Sequence, residues 1–212
     1  MITQRLRIHQ HSANEPALEI ASAAILRGKV IAVPTDTYYA LAADPFNLQA
    51  VDLIFQTKGR QSWKPLLLLI DSVEQAESVA QNIPDVFYKI AEEFWPGPLT
   101  VVLPAAKNIP LKVTGGTGTV GIRIPDCHFT RMLMNAIDMP LIGTSANLSS
   151  HPACACAEEV LEQLGGRIEL VIDGGKSQAS AASTLIDLTR GTPRILREGA
   201  IPSERLKKYL SS

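Results

Sequence analysis

The chain has 212 residues, of which 46% are hydrophobic and 19% are charged. This composition excludes an intrinsically disordered chain, because there is enough apolar surface to offset the loss of chain entropy on folding. With 20 Lys and Arg against 21 Asp and Glu, the formal charge of −1 argues against general binding to a nucleic-acid backbone and leaves a local basic groove open.

Apolar residues recur with helical and strand periodicities that alternate along the chain. The helical pattern predicts helices over Glu15–Arg27, Asn47–Thr57, Pro84–Phe94, Phe129–Ala136, Ala157–Leu164 and Pro202–Leu210. Short apolar runs predict strands over Lys29–Val33, Pro65–Ile70, Leu99–Leu103, Thr119–Ile124, Pro140–Gly143, Glu169–Ile172, Ser183–Leu188 and Arg194–Leu196. Because the last two strands follow each other without a helix, the sheet is predicted to be mixed. We therefore expect a single α/β domain over residues 1–212, with one twisted, mixed β-sheet and flanking helices.

Cysteine content and the N-terminal sequence bear on the cellular compartment. The three cysteines, Cys127, Cys154 and Cys156, lack the spacing of common zinc and redox motifs, so reduced thiols are expected. Residues 1–16 contain no apolar core of a signal peptide, and runs such as Leu66–Ile70 are too short to cross a bilayer. These features predict a cytoplasmic protein without a membrane segment.

Polar side chains cluster at the predicted strand ends, where α/β proteins commonly build their sites. Lys58-Gly59-Arg60 carries two cations that suit a polyphosphate, although solvated cations at a helix end would give the same pattern. Thr144-Ser145-Ala146-Asn147 offers two hydroxyls and an amide for ribose and phosphate oxygens, or for capping a helix. The glycine-rich stretch Gly115–Thr119 lacks the following Lys-Ser/Thr of a phosphate-binding P-loop.

The order of these and other motifs resembles the YrdC/TsaC family of L-threonylcarbamoyl-AMP synthases. The matching segments are Pro34-Thr35-Asp36-Thr37-x-Tyr39-x-Leu41, Lys58-x-Arg60, Pro65-Leu66, Trp95-Pro96-Gly97-Pro98-Leu99-Thr100, Arg123-x-Pro125, Thr144-Ser145-Ala146-Asn147, Ile172-Asp173-Gly174-Gly175, Ser183-Thr184 and Leu196-Arg197-x-Gly199. They run from about Ala23 to Gly199, which is most of the chain. The resemblance implies a YrdC-like fold around a wide, positively lined, concave cleft. The end of the chain at Ser212 predicts the short family form, without the additional C-terminal domain of longer members.

The resemblance also implies a reaction and its partners. Family members make threonylcarbamoyl-AMP and pyrophosphate from threonine, bicarbonate and ATP, with Mg²⁺ on the phosphates. The product serves threonylcarbamoyl-adenosine modification of tRNA, which implies a downstream tRNA threonylcarbamoyl transferase and makes tRNA or double-stranded RNA a candidate partner. This chemistry depends on positioning and charge neutralisation, so we assign no catalytic nucleophile or base.

The site residues follow from the resemblance, position by position. Thr35, Arg123 and Ser183 correspond to threonine-binding positions, with Arg123 as a clamp for the carboxylate. No metal site built by protein side chains alone is expected, and one cleft is expected to hold all nine residues. The positions that correspond to ATP-binding residues are Lys58, Arg60, Thr119, Ser145, Asn147 and Arg197.

Two departures from the family pattern leave alternatives open. Ala40 and Ala42 stand where the family has glycines, which would strain the backbone wherever a positive φ is needed. Leu69 stands where the synthases often carry a histidine that helps to hold threonine. One alternative is therefore a YciO-like paralogue with weak or altered substrate use. The other is an RNA-binding module that uses the cleft, although an aromatic content of 5% disfavours it.

Overall fold

Strands and helices alternate through most of residues 2–9, 14–59, 64–177 and 181–210, which are the residues that the computed structural model describes. The strands are β1 (Gln4–Arg7), β2 (Ile31–Val33), β3 (Ala40–Ala42), β4 (Leu67–Leu69), β5 (Leu99–Pro104), β6 (Thr119–Arg123), β7 (Leu141–Ile142), β8 (Thr144–Ser145), β9 (Leu170–Asp173), β10 (Thr184–Asp187) and β11 (Arg194–Arg197). The helices are α1 (Glu15–Leu26), α2 (Leu48–Lys58), α3 (Val73–Val79), α4 (Asp85–Phe94), α5 (Leu111–Thr114), α6 (His128–Ile137), α7 (Ala157–Leu164) and α8 (Ser203–Leu210).

The strands form two mixed sheets. The first has the order β1-β9-β2-β3-β8, and the second has the order β11-β10-β5-β6-β4-β7. In the first sheet β2 pairs parallel with β9 and antiparallel with β3, while in the second β5 pairs parallel with β10 and antiparallel with β6. The predicted mixed α/β fold is confirmed, but the prediction of one sheet is wrong, because strand pairing between distant segments is not encoded in local periodicity.

Each predicted helix and strand has a counterpart with small changes at its ends, and five elements were not predicted. Strand β1 has Leu6 as its one apolar residue and pairs at the edge of the first sheet with β9. Strand β3 consists largely of alanine, which has low strand propensity, and its neighbours β2 and β8 hold it in the sheet. Strand β8 begins in the segment predicted to be a polar turn. Helices α3 and α5 are too short to show a clear periodicity.

Neither Ala40 nor Ala42 has a positive φ, so the expected strain at these positions does not arise. Both lie in the extended backbone of β3 and are buried. Trp95 is also buried, and its indole N–H donates to the Leu99 carbonyl at 2.7 Å. Within the ranges given above, no helix combines the length and the apolar character needed to cross a membrane.

Candidate functional site

A cavity of about 580 Å³ is lined by strands of both sheets. Residues of β3 and β8 contribute from the first sheet, and residues of β4, β5, β6, β10 and β11 contribute from the second. Among the described residues that line it there are two cations and no carboxylate, which makes the cavity positively charged. Its charged and hydroxyl-bearing residues include Thr35, Thr37, Thr100, Thr119, Thr144, Ser145, Ser183, Arg123 and Arg197.

Most of the predicted site residues meet at this cavity. Lys58 and Asn147 contact Ser145 from outside the lining. Arg60 lies outside the described residues. The predicted residues that line the cavity are Thr35, Thr119, Arg123, Ser145, Ser183 and Arg197.

Lys58 is a buried cation, only 4% exposed, at the end of α2. Its Nζ donates to the Asn147 carbonyl at 2.8 Å, to Asn147 Oδ1 at 3.0 Å and to the Ser145 carbonyl. The alternative of a solvated cation is therefore wrong for Lys58. The ammonium group ties the end of α2 to the turn that carries Ser145.

The Ser145–Asn147 turn is fixed by backbone and side-chain bonds. The Ala146 N–H donates to the Tyr39 carbonyl at 2.8 Å, and Ser145 Oγ donates to Asn147 Oδ1 at 2.5 Å. Asn147 Nδ2 donates to the Leu148 and His151 carbonyls at 3.0 and 2.6 Å. The helix-capping alternative is wrong, because the next helix, α7, begins only at Ala157. The turn thus holds the Ser145 hydroxyl at the cavity surface.

Arg123 ends β6 and is buried beside the cavity. Its Nε donates to the Gly97 carbonyl at 3.0 Å, Nη1 donates to Thr37 Oγ1 at 2.9 Å, and Nη2 donates to Asp36 Oδ1. Burial lowers the pKa of Arg123, and the carboxylate of Asp36 opposes this shift. A guanidinium has five N–H groups, so one on each Nη is left without a partner among the described residues. These two N–H groups suit a ligand carboxylate.

Ser183, directly before β10, is joined to Arg197, the last residue of the edge strand β11 of the second sheet. Arg197 Nη2 donates to the Ser183 carbonyl at 2.8 Å, and the hydroxyl oxygens of Ser183 and Thr100 are 2.8 Å apart. Arg197 is exposed and forms no ion pair with any residue that the structure describes. Gly199 allows this close packing, since a Cβ there would lie 2.2 Å from the Ala182 carbonyl oxygen.

Leu69 forms part of the cavity wall and is the register partner of Arg123 in the parallel pair β4–β6. It also packs against Gly143, where a Cβ would lie 2.4 Å from Leu69 Cγ. Leu69 therefore contributes an apolar part to the wall beside the arginine.

Sequence reasoning assigned no role to Asp36, Thr37 or Thr100. Asp36 and Thr37 hold the Arg123 guanidinium, and Thr100 contacts Ser183. The available signal was Arg123 itself, because an arginine in a buried strand needs a counter-ion, and Asp36 belongs to the matched segment that begins at Pro34.

A mixed α/β fold with two arginines and many hydroxyls around one cavity is typical of proteins that bind small anionic molecules. The chain belongs to the Sua5/YciO/YrdC family, since a family model described as "Telomere recombination" matches residues 23–199. This confirms the family expected from the motifs.

Curated relatives carry the name threonylcarbamoyl-AMP synthase. That of Pyrococcus abyssi is 40% identical over 91% of this chain and 57% of its own length, and that of Bacillus subtilis is 36% identical over 94% and 58%. A putative synthase of Mycobacterium tuberculosis is 35% identical over 90% of this chain and 87% of its own length. The chain thus spans less than two thirds of the first two relatives.

Two solved structures have a fold similar to that of this chain. The structure of P. abyssi Sua5 complexed with L-threonine matches with a TM-score of 0.94 at 38% identity, over 98% of this chain and 61% of that one. Escherichia coli YciO matches with a TM-score of 0.88 at 24% identity, over 99% and 100%, which is a likeness of fold alone.

Proposed function

We propose that this chain is a threonylcarbamoyl-AMP synthase, which forms threonylcarbamoyl-AMP, pyrophosphate and water from L-threonine, bicarbonate and ATP. The observation that carries the proposal is one cavity in which a buried arginine with free N–H groups and an exposed arginine lie among hydroxyls. The relatives' names and the threonine complex of P. abyssi Sua5 support the same reaction.

We assign the amino acid to the part of the cavity beside Arg123. The two free N–H groups of Arg123 would bind the threonine carboxylate as a charge-assisted pair. The hydroxyls of Thr35 and Ser183 would contact its remaining polar groups. Both hydroxyls are held in place, since Thr35 Oγ1 donates to the Tyr38 carbonyl at 2.7 Å and Ser183 Oγ contacts Thr100.

We assign ATP to the part of the cavity lined by Arg197, Thr119 and Ser145, where Arg197 adjoins the amino-acid site through its hydrogen bond to the Ser183 carbonyl. Arg197 offers a guanidinium without a carboxylate partner among the described residues, which suits a phosphate group. Lys58 and Asn147 would contribute by holding the Ser145 turn, and Arg60 remains a prediction from the motif.

Magnesium would enter with the nucleotide. No three or more His, Cys, Asp or Glu side chains are grouped to hold a metal ion anywhere in the described residues, and the cavity lining there includes no carboxylate. The phosphate oxygens of ATP are therefore the expected ligands of Mg²⁺.

The reaction needs two bond-forming steps. The threonine nitrogen bonds to the bicarbonate carbon and water leaves, which gives a carbamate. A carbamate oxygen then bonds to the α-phosphorus, while the bond from that phosphorus to the bridging oxygen breaks and pyrophosphate leaves with the electron pair. The site would accelerate these steps by holding the reactants together and by neutralising phosphate charge.

The product is a reactive mixed anhydride, so a second enzyme must use it promptly. We propose a tRNA threonylcarbamoyl transferase as that partner, with tRNA as the final acceptor, and the cytoplasm as the place of the reaction.

Pyrophosphate release tests the proposal when threonine, bicarbonate and ATP are omitted in turn. Release should require all three, and Arg123→Ala should abolish it. Lys29→Met, which changes an exposed lysine outside the cavity, should leave it unchanged. Release that continues without threonine or without bicarbonate would contradict the assignment.

A second candidate is a YciO-like paralogue with altered amino-acid use. The observation that favours it is the apolar wall formed by Leu69 beside Arg123. An RNA groove is less well supported, because both arginines line a cavity of small-molecule size.

A further inference from the structure

The two arginines of the cavity differ in their charge environment. Arg197 is exposed, and its one described side-chain contact is to Ser183. Arg123 is buried and forms an ion pair with Asp36, whose side chain is 14% exposed. The charge of Arg197 is therefore not neutralised by a carboxylate among the described residues, whereas the charge of Arg123 is neutralised by Asp36.

The carboxylate of Asp36 is only partly used by the protein. Its Oδ1 accepts from Arg123 Nη2 and from the Asp126 N–H at 3.1 Å. Its Oδ2 is buried and has no hydrogen-bond partner among the described residues. A buried carboxylate oxygen without a donor is destabilising and rare in folded proteins, so its retention calls for an explanation beyond folding.

We propose that Asp36 sets the ligand specificity of the site beside Arg123, by positioning the guanidinium and cancelling its net charge so that a zwitterionic amino acid binds there and a phosphate does not. This inference rests on the proposed function, because it concerns the same amino-acid site. Asp36 acts through Arg123 and is a positioning residue.

Charge complementarity explains the selectivity. A phosphate carries up to two negative charges and gains most from a cation that no carboxylate has neutralised, as at Arg197. An amino acid carries a carboxylate, which the free N–H groups of Arg123 can bind, and an ammonium group, which Asp36 attracts. A phosphate placed at Arg123 would be repelled by the carboxylate of Asp36. This repulsion disfavours binding of the wrong ligand.

Competitive calorimetry tests this with L-threonine, glycine, acetate and inorganic phosphate as probes. In the unmodified protein, glycine should displace threonine more effectively than acetate, which lacks the ammonium group. Inorganic phosphate should leave the threonine affinity unchanged. Competition by phosphate, or equal displacement by acetate and glycine, would overturn the proposal.

The variant Asp36→Asn keeps the size and one acceptor oxygen but removes the charge. Its threonine affinity should fall by at least about tenfold, and phosphate should now compete for the site. Asp44→Asn is the matched control, since Asp44 accepts from the Phe46 N–H at 2.8 Å and does not line the cavity. It should behave like the unmodified protein.

Thr37→Val separates position from charge, because it removes an uncharged acceptor of Arg123 and leaves Asp36 in place. Threonine should bind more weakly to this variant, still without competition from phosphate. Loss of threonine affinity in Asp36→Asn without a gain in phosphate competition would overturn the charge-setting role.

Different results would contradict the role of Asp36 and the synthase activity. An unmodified protein that binds threonine as described but releases no pyrophosphate contradicts the synthase activity alone. If Asp36→Asn does not fold, the glycine, acetate and phosphate comparison on the unmodified protein decides the question by itself.

Discussion

Lys58→Met should destabilise the whole chain, because the substitution removes a buried ammonium group and its hydrogen bonds to the Ser145–Asn147 turn. The Asn147 carbonyl loses its one donor among the described residues. The other two acceptors each retain a donor. The Ser145 carbonyl still accepts from the Asn147 N–H at 2.9 Å, and Asn147 Oδ1 still accepts from the Ser145 hydroxyl at 2.5 Å. One carbonyl is thus left without a donor, and two other charge-assisted contacts are lost.

The magnitude follows from these losses. An unsatisfied buried acceptor costs about 1–3 kcal/mol, and each hydrogen bond to a charged group contributes about 1.5–3 kcal/mol. Removal of a buried ammonium also relieves its desolvation penalty, so we expect a net loss of about 2–4 kcal/mol. For a chain of this size, each kcal/mol lowers Tm by about 2–4 °C. The Tm of Lys58→Met should therefore fall by roughly 4–16 °C.

Thermal unfolding followed by circular dichroism measures this change, with Lys29→Met as the control at an exposed lysine. Pyrophosphate release at a temperature where both variants are folded should also fall in Lys58→Met, because the turn that carries the Ser145 hydroxyl loses its link to the end of α2. A Tm equal to that of the unmodified protein would refute the role of Lys58 in holding the turn.

Three further predictions concern single positions. Gly199→Ala should cost about 1–3 kcal/mol of stability and weaken ATP binding, because the added Cβ would meet backbone atoms of residues 182 and 183. Denaturation and ATP-binding assays measure both effects, with Gly191→Ala as the control, since a Cβ there meets nothing within 4 Å. Although burial raises the pKa of Asp173, hydrogen bonds from Arg5 and the Gly175 N–H lower it overall. Its ionised form therefore stabilises the fold above pH about 4, and this contribution is lost as the pH falls through the folded-state pKa. In Asp173→Asn the free energy of unfolding, measured against pH, should fall less steeply on the acid side. Because Leu69 offers only apolar contact, the unmodified protein should discriminate weakly between threonine, serine and valine in a competition assay of pyrophosphate release, and Leu69→His should increase the preference for threonine. If the unmodified protein strongly rejects serine and valine, and Leu69→His changes nothing, Leu69 has no role in specificity.

Local sequence signals were sufficient for the longer elements and insufficient for their assembly. The helix predicted over Glu15–Arg27 and the strand predicted over Leu99–Leu103 are both found, each with a one-residue change at its end. Strand β3 carries little strand propensity of its own, and its pairing with β2 and β8 stabilises it in the sheet. The split into two sheets depends on such non-local pairing, which periodicity cannot supply.

The sequence indicated which residues lie in and beside the cavity, but not how their side chains are oriented. The motifs predicted that Arg123, Ser183 and Arg197 share one cleft, and in the structure all three line one cavity; their roles stay predictions. The direction of the Lys58 side chain could not be read from the sequence, since a terminal helical lysine can reach solvent or the interior. Asp36 was overlooked because its importance depends on the burial of Arg123, which is a tertiary property.

The most direct test of the central claim is mass spectrometry of the nucleotide product formed from ¹³C-bicarbonate, threonine and ATP. The account predicts threonylcarbamoyl-AMP that carries the ¹³C label, formed in equal amounts with pyrophosphate. Unlabelled threonyl-AMP would mean that the amino-acid carboxylate, and not a carbamate, attacks the α-phosphorus. That product, or hydrolysis of ATP without any threonine adduct, would contradict the account.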